Sequence, residues 1–576
     1  MEEEETFNQL WVIPTQLKKT LKEMSKNRDI GELTKAAHKA TLAWKLWTIG
    51  NPLRIVPYNL RNLSGDLDAV IAGNWDVLKR ENSGRALKEL INHMRGKETS
   101  QDLQDFLDRS GGGLQIYSMQ LSKPFSDSEL ETLKKTAEQV KANGFSFKNI
   151  PKSGLNAIKK FFNKEFELTQ LRENWLRYAA YLAYKSDIDA NNGTPSTWGA
   201  SNKEDIMALT NNKDKAYAMA NDLLGNYDNV SKAGKRLSDM FIPFWRWQEI
   251  NLTRFYKLIR NGLKGENAGN FTKKLLIAQT AKIPFYAVTA ASTFAKMSLL
   301  NMVMNAFNRW FHREDDDKLP KEVKSKPHIT FGNIGGKIYY LDRLGMLGDI
   351  GDWLGLDSIF LDAKEIQNGQ MSLSDYVKKT AQAPVGKIMN QLNPILKMPF
   401  ELATSNNLYP DAFHPRPIHD NAKHIAQSLG LTWPYKALTR EPRSDMDELT
   451  HILASSVDPD EAAYFQTLDT VRKFQERVLD KHFDGFASTK RGEVLRKLKT
   501  AMRYKDRAAV RRYLREYAQL DGTKKGLQQS MKAMNPLFGL SKEEQKQFLK
   551  WINDDDRQYL RKANRYFHAL TDRYIN

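Results

Sequence analysis

The sequence contains no cysteine, which excludes disulfide staples, thiolate metal sites and a cysteine nucleophile. A chain without thiols also unfolds and refolds across a redox boundary without cross-linking errors. No secretory signal is expected: Met1 is followed by four glutamates, where such a signal needs a basic start and then an apolar run. Enzymatic signatures are missing too. Gly111–Gly113 lacks the following Lys-Ser/Thr of a phosphate loop, and there is neither a Gly-x-Ser-x-Gly elbow nor a His-Glu-x-x-His pair. His414, His419 and His424 lie five apart and are interrupted by Pro415 and Pro417, whereas metal ligands on one helical face prefer steps of three or four. No catalytic, cofactor-binding or metal-ligating residue follows, so an enzyme is not expected. With 69 Asp and Glu residues a glycosidase-type carboxylate pair stays open, but nothing singles one out. No repeat recurs at a fixed period.

What is present is helix and positive charge. The 576 residues are 41% hydrophobic and 10% aromatic, enough for real cores in two to four units. Lys and Arg number 88 against 69 Asp and Glu, a net charge of +19. With a pI near 9.5 and a mean hydropathy of -0.60, this surplus suits an anionic partner: nucleic acid, an acidic membrane surface or an acidic protein assembly. Within 167–184, Leu168, Leu171, Trp175, Leu176, Ala179 and Leu182 recur at helical steps, and 449–479 and 494–520 behave alike. Strand-like alternation is scarce. Its best instance is 328–341, where a turn at Asn333–Gly336 separates two short β-prone runs.

The expected fold is therefore mainly α, an elongated multi-helix protein with one small β-hairpin near 328–341. Ser110–Gly113, Asp189–Trp198 and Glu314–Pro327 read as loops. Seven prolines between Ala383 and Pro434 leave room only for short helices wrapping over other elements. These breakers divide the chain into an N-terminal helical region (1–110), a second helical region (111–240), an aromatic segment with an apolar helix (241–313), a hairpin and proline-rich region (314–442) and a basic C-terminal helical domain (443–576).

Several motifs in order resemble one family. Asn51-Pro52 precedes Asn59-Leu60-Arg61-Asn62 and Asp66. Asn226-Tyr227-Asp228 leads into Phe241-Ile242-Pro243-Phe244-Trp245-Arg246-Trp247 and Asn251. Asn393-Pro394, Lys397, Pro399, Glu401, Asn406 and Pro415-Arg416-Pro417-Ile418 follow, then Asn535-Pro536-Leu537 and Leu540-Ser541. The set is similar to the large polyvalent-protein-associated helical region of giant virion proteins in tailed phages and some mobile elements, over roughly Leu42 to the C-terminus. That resemblance implies an internal virion protein packed in the head or portal-tail channel and assisting DNA ejection. Its implied partners are other virion proteins, further copies of itself, the DNA backbone and, after ejection, the host envelope. The alternatives are a static portal-associated component, or an accessory to a co-packaged enzyme.

Three groups of residues carry candidate contacts. Lys490, Arg491, Arg496, Lys497, Lys499, Arg503, Lys505, Arg507, Arg511, Arg512 and Arg515 stand against only Glu493 and Asp506, with Leu495, Leu498, Met502, Val510 and Leu514 as an apolar stripe. This basic amphipathic helix or helix pair is expected to lie along phosphates or an acidic membrane, and a solvated face is the bland alternative. The second group is the apolar run 283–308 with its flank: Ile283, Phe285, Tyr286, Val288, Phe294, Leu299, Leu300, Met302, Val303, Phe307 and Trp310. Its length permits a membrane span, but Lys296 at its middle favours the buried helix of a soluble bundle. The third is the aromatic cluster Phe241, Phe244, Trp245 and Trp247, where Arg246 and Arg254 offer stacking against bases or lipid headgroups, and core packing at a helix start explains the same residues.

Overall fold

The computed structural model describes residues 52–109, 152–267, 285–429, 454–481, 489–503 and 507–574, apart from 227–228, 243, 343, 409–411, 413–415 and 419. The fold is mainly helical, as expected, with a small antiparallel sheet. The first part runs through α1 (Pro52–Gly73), α2 (Arg85–Met94), α3 (Gln101–Arg109), α4 (Lys152–Ala190), α5 (Asn212–Leu224), α6 (Lys232–Met240), α7 (Trp245–Leu263) and α8 (Phe285–Phe311). The hairpin of β1 (His328–Ile334) and β2 (Lys337–Asp342) comes next. It leads to α9 (Gly345–Leu354), α10 (Ile359–Gln367), α11 (Leu373–Gln391), α12 (Pro394–Thr404) and α13 (Asn421–Ser428). The last part is β3 (Ser455–Val457), α14 (Pro459–Arg477), α15 (Lys490–Arg503), α16 (Arg507–Gln519), α17 (Lys524–Lys532), α18 (Lys542–Trp551) and α19 (Asp554–Tyr574).

Local chemistry sets many of the helix starts. The side chains of Asn211 and Ser231 accept from the first-turn amides of α5 and α6. Ser372 with Asp375, and Ser541 with Glu544, close reciprocal capping boxes on α11 and α18. Asp458 caps α14 with Pro459 at its first position, where a missing amide costs nothing. Asp554, Asp555 and Asp556 occupy the first turn of α19, at the positive end of its dipole.

The larger core forms where α4 packs against α1, α2, α3 and α5. Tyr178, Tyr181 and Tyr184 repeat every three residues on α4 and are fully buried. Phe106 of α3 lies 5.3 Å from the Tyr178 ring and 5.7 Å from Tyr181. Burying side chains of this size stabilises by about 1.5–3 kcal/mol each. Gly199, at φ 54°, has a chemical reason to be glycine: a Cβ there would meet the Tyr184 hydroxyl at 2.2 Å. A second core joins α14, α15, α16 and α19 through Tyr464, Leu498, Met502, Val510, Tyr513, Tyr517, Tyr566 and Phe567. The apolar stripe seen in the sequence falls on this core.

The hairpin sits where the sequence places it. Its two-residue loop is Gly335-Gly336, at φ 62° and 85°, the left-handed pair that matches the strands' twist. The third strand was not legible: Ser455–Val457 pairs antiparallel with β2 across more than a hundred residues. Four expectations need correction. Ser455–Val457, read as part of a helical stretch over 449–479, is a strand, and the helix begins only at Pro459. Pro384 lies inside the 19-residue α11, and Pro399 inside α12, so the proline-rich stretch is more helical than read. Half of Glu314–Pro327 lies in two one-turn helices, Arg313–Asp316 and Lys321–Lys324, rather than in loop. Asp189 and Ala190 still belong to α4. Ser110–Gly113 lies outside the described residues.

Candidate nucleic-acid interface

The basic run folds as the pair α15 and α16, each burying one face. Val494, Leu498, Ala501 and Met502 of α15 and Ala509, Val510, Tyr513 and Tyr517 of α16 point inward. Lys490, Arg491, Arg496, Arg507, Arg511 and Arg515 are exposed as a consequence, while Lys497, Lys499, Arg503 and Arg512 are half-buried. Lys505 lies outside the described residues.

Three of these cations are used by the fold. Arg491 donates twice to the Leu520 carbonyl, at 3.0 and 2.6 Å. Arg503 stands 3.7 Å from Glu461 and over the Phe465 ring. Arg512 lies over the Tyr513 ring and donates to its hydroxyl at 3.0 Å. Burial pulls the Lys499 ammonium below the ordinary lysine range. By contrast, Lys490, Arg496, Lys497, Arg507, Arg511 and Arg515 have no carboxylate within 4.0 Å among the described residues. Arg507, Arg511 and Arg515 follow one another at four-residue steps, about 6 Å apart along the helix. Like charges at that spacing cost about 0.2–0.5 kcal/mol per pair, so the fold alone does not favour the row.

A second basic locus escaped the sequence reading because its residues are far apart in the chain. Burial pulls the Lys562 ammonium down; Asp460 opposes this, and Lys324, Lys318 and Arg565 add like charge around it. Lys318 is partly balanced by Asp315 at 3.8 Å.

The apolar segment forms a packed helix of the bundle. Among the described residues no helix is long and apolar enough to cross a membrane. α8 instead packs on α1 and α7 and beside β1. Its inward positions are Thr289, Thr293, Met297, Met304 and Asn308. Thr289 donates to the Leu263 carbonyl at 2.8 Å, and Asn308 bridges the His328 carbonyl and the Thr330 amide. Lys296, the charge that counted against a span, donates to the Asn267 carbonyl at 2.8 Å, and burial lowers its pKa. Phe294, Met302, Val303 and Trp310 are exposed rather than core, Trp310 at 81%. Leu299, Leu300 and Phe307 are half-buried. Ile283 and the side chains of Phe285, Tyr286 and Val288 lie outside the described residues.

The aromatic cluster divides between local structure and the polar cavity described below, which Trp247 lines. Phe241 accepts the Asn393 amide through its carbonyl at 2.7 Å, and Phe244 is the N-cap residue of α7. Trp245 meets the Trp353 ring edge-on at 6.5 Å and donates to Glu249 at 3.0 Å. Arg254 is 4% exposed, so it presents no stacking surface to a base or lipid.

The motif residues separate into two sets. Asn393, Glu401, Asn406 and Arg416–Ile418 tie one local knot. The fully buried Glu401 accepts from the Leu408 amide and meets His424 at 2.9 Å, and Asn406–Asn407 pair with Arg416–Pro417. Arg61, Asn62, Asp66, Trp247 and Asn251 converge from α1 and α7 on one polar cavity, which α4 closes with Arg172, Glu173 and Arg177. Four guanidinium groups there face the carboxylates of Asp66, Glu173 and Asp349. Arg254 donates to Asp66 at 2.9 Å and Arg61 to Asp342 at 2.7 Å. Arg177 donates to Asn221 and to the carbonyls that end α5. Burial raises the Glu173 carboxyl, against Arg172 and Arg177.

Among the described residues no group of three or more His, Asp or Glu could hold a metal ion. No protein family, curated protein or solved structure matches the chain.

Proposed function

We propose that this chain is an internal virion protein of a tailed phage that holds or delivers the genome, touching the DNA backbone through the exposed face of α15 and α16. The observation that carries the reading is the row Arg507, Arg511 and Arg515, exposed and without carboxylate partners among the described residues, on a helix whose other face is packed into the core. Backbone contact of this kind is indifferent to sequence and weakens with salt. The ordered motifs from Asn59 to Ser541 support placing the chain in a phage particle. Copies of the chain assemble with one another and with portal or tail-channel proteins.

A second reading, a static component bound at the portal, is favoured by the exposed apolar side chains of Phe294, Met302, Val303 and Trp310 on α8, surface of the kind that subunit contacts cover. Mass spectrometry of purified particles before and after triggered genome release separates the two. A delivered protein is present before and absent after. Retention of the full complement in emptied particles supports the static component and overturns delivery. Absence from intact particles overturns both.

A further inference from the structure

The cavity between α1, α4 and α7 contains a cation that the fold leaves underused. Arg254 is 4% exposed, yet a single donor, Nη1, reaches a partner, Asp66 at 2.9 Å; its Nε is buried with none. A guanidinium has five donors, and leaving them unmade away from water is costly. Arg61, Arg172 and Arg177 line the same space, so four guanidiniums stand against the three carboxylates of Asp66, Glu173 and Asp349, with Arg172 2.7 Å from Glu173 and 3.8 Å from Asp66.

Gly65 gives an independent observation. It stands in the interior of the 22-residue α1, where glycine is a poor helix former. Its φ is not in the left-handed region, and a Cβ added there would meet nothing within 4 Å. Neither backbone conformation nor close packing therefore requires glycine. What its missing side chain does is leave the cavity wall open, since Gly65 is one of the lining residues.

The cavity volume decides the ligand class. At about 30 Å³ it has room for two or three waters, because one water needs about 10–15 Å³ on the same measure. A tetrahedral oxyanion fits that space and a nucleoside does not. We propose that this cavity is an oxyanion site that takes a phosphate group, held by Arg254 with Arg172 and admitted past Gly65. The site is separate from the α15–α16 surface and does not rest on DNA contact there. The phosphate comes either as the free ion or as the terminal monoester of a nucleic acid.

The test is equilibrium dialysis of the full-length protein with radiolabelled inorganic phosphate, alongside thermal melting. The wild type is expected to bind one phosphate per chain and to melt higher in its presence. Gly65→Leu fills the cavity without removing a charge. It is expected to stay folded by circular dichroism and to lose phosphate binding at least tenfold. Gly65→Ala, a smaller plug, is expected to melt no lower than wild type in the absence of phosphate. Replacing Arg507, Arg511 and Arg515 together by Gln is expected to leave phosphate binding unchanged. Displacement by a 5′-phosphorylated oligonucleotide but not by its unphosphorylated twin assigns a chain end as the source; displacement by neither assigns the free ion. No binding at millimolar phosphate, or binding that survives Gly65→Leu but is lost in the triple variant, overturns the site.

Discussion

Around α4 the positive side chains have partners. Arg85 joins Glu89 at 2.7 Å and Asp102 at 2.8 Å, Arg109 meets Asp214 at 2.7 Å, and Arg254 meets Asp66 at 2.9 Å. On α15 and α16, with a denser charge run, Lys490, Arg496, Lys497, Arg507, Arg511 and Arg515 have no carboxylate within 4.0 Å among the described residues, and Arg503 has one at 3.7 Å. Both regions have buried aromatic cores, so the difference is not one of folding quality. Charge paired across helices fixes which helices meet, whereas charge left unpaired on a packed helix costs a little stability and serves a partner outside the chain. The same overall surplus of +19 is thus two different things in two places.

The comparison is broken most severely by removing one member of a paired set. Asp66→Ala strips Arg254 of the one carboxylate within 4.0 Å of it among the described residues and leaves a buried charge, so stability is expected to fall by about 3 kcal/mol. Urea unfolding of the full chain measures it; a change below 1 kcal/mol would mean that water already serves Arg254.

A somewhat smaller effect comes from Asp68, also on α1. Burial pushes its carboxyl up to about 7, against the Met346 amide that donates to it at 2.7 Å and the charge of Arg254. From the ordinary value of 3.8 up to about 7, the folded chain holds a proton that the unfolded chain has released. Its contribution is fully present below that lower value and is lost as pH rises through the folded one. Asp68→Asn is expected to flatten this fall, with a gain over wild type on the order of 2 kcal/mol at pH 8 and little difference at pH 4. Parallel melting curves across pH 4–8 check it.

The smallest effect sharpens the contrast. Arg511→Gln removes an exposed cation with no partner among the described residues and is expected to change stability by less than about 0.5 kcal/mol, with a slight gain from relieved repulsion along the row. A loss above 1 kcal/mol in the same urea assay would show that the row is structural.

How much of this was legible in the sequence follows from the range of the interactions involved. The helical steps of 167–184 and 494–520 and the Asn333–Gly336 turn depend on neighbours in the chain, and all were readable. β3 was not: a three-residue strand has no periodicity, and its partner lies over a hundred residues away. α8 misled because its largest apolar residues face outward, while the buried Thr289 and Asn308 hydrogen-bond to carbonyls that only the folded chain brings near. Pro384 was read as a helix breaker, yet tertiary packing carries α11 through it. At the candidate interface the sequence located the cations, but not which of them the fold would use. The polar cavity was invisible as such, although Arg61, Asp66 and Asn251 had been marked as motif residues without a reason for their meeting.

The most direct test of the claim that the α15–α16 face contacts DNA is a salt titration of binding to a random-sequence duplex. Full-length wild type is compared with the Arg507, Arg511 and Arg515 triple Gln variant by fluorescence anisotropy. The expected wild-type result is sequence-independent binding whose log affinity falls linearly with log salt. In the variant the slope is expected to shrink by about 3, one per lost phosphate contact, with melting unchanged. An identical slope and affinity in both proteins would contradict the claim and leave the row as a solvated face.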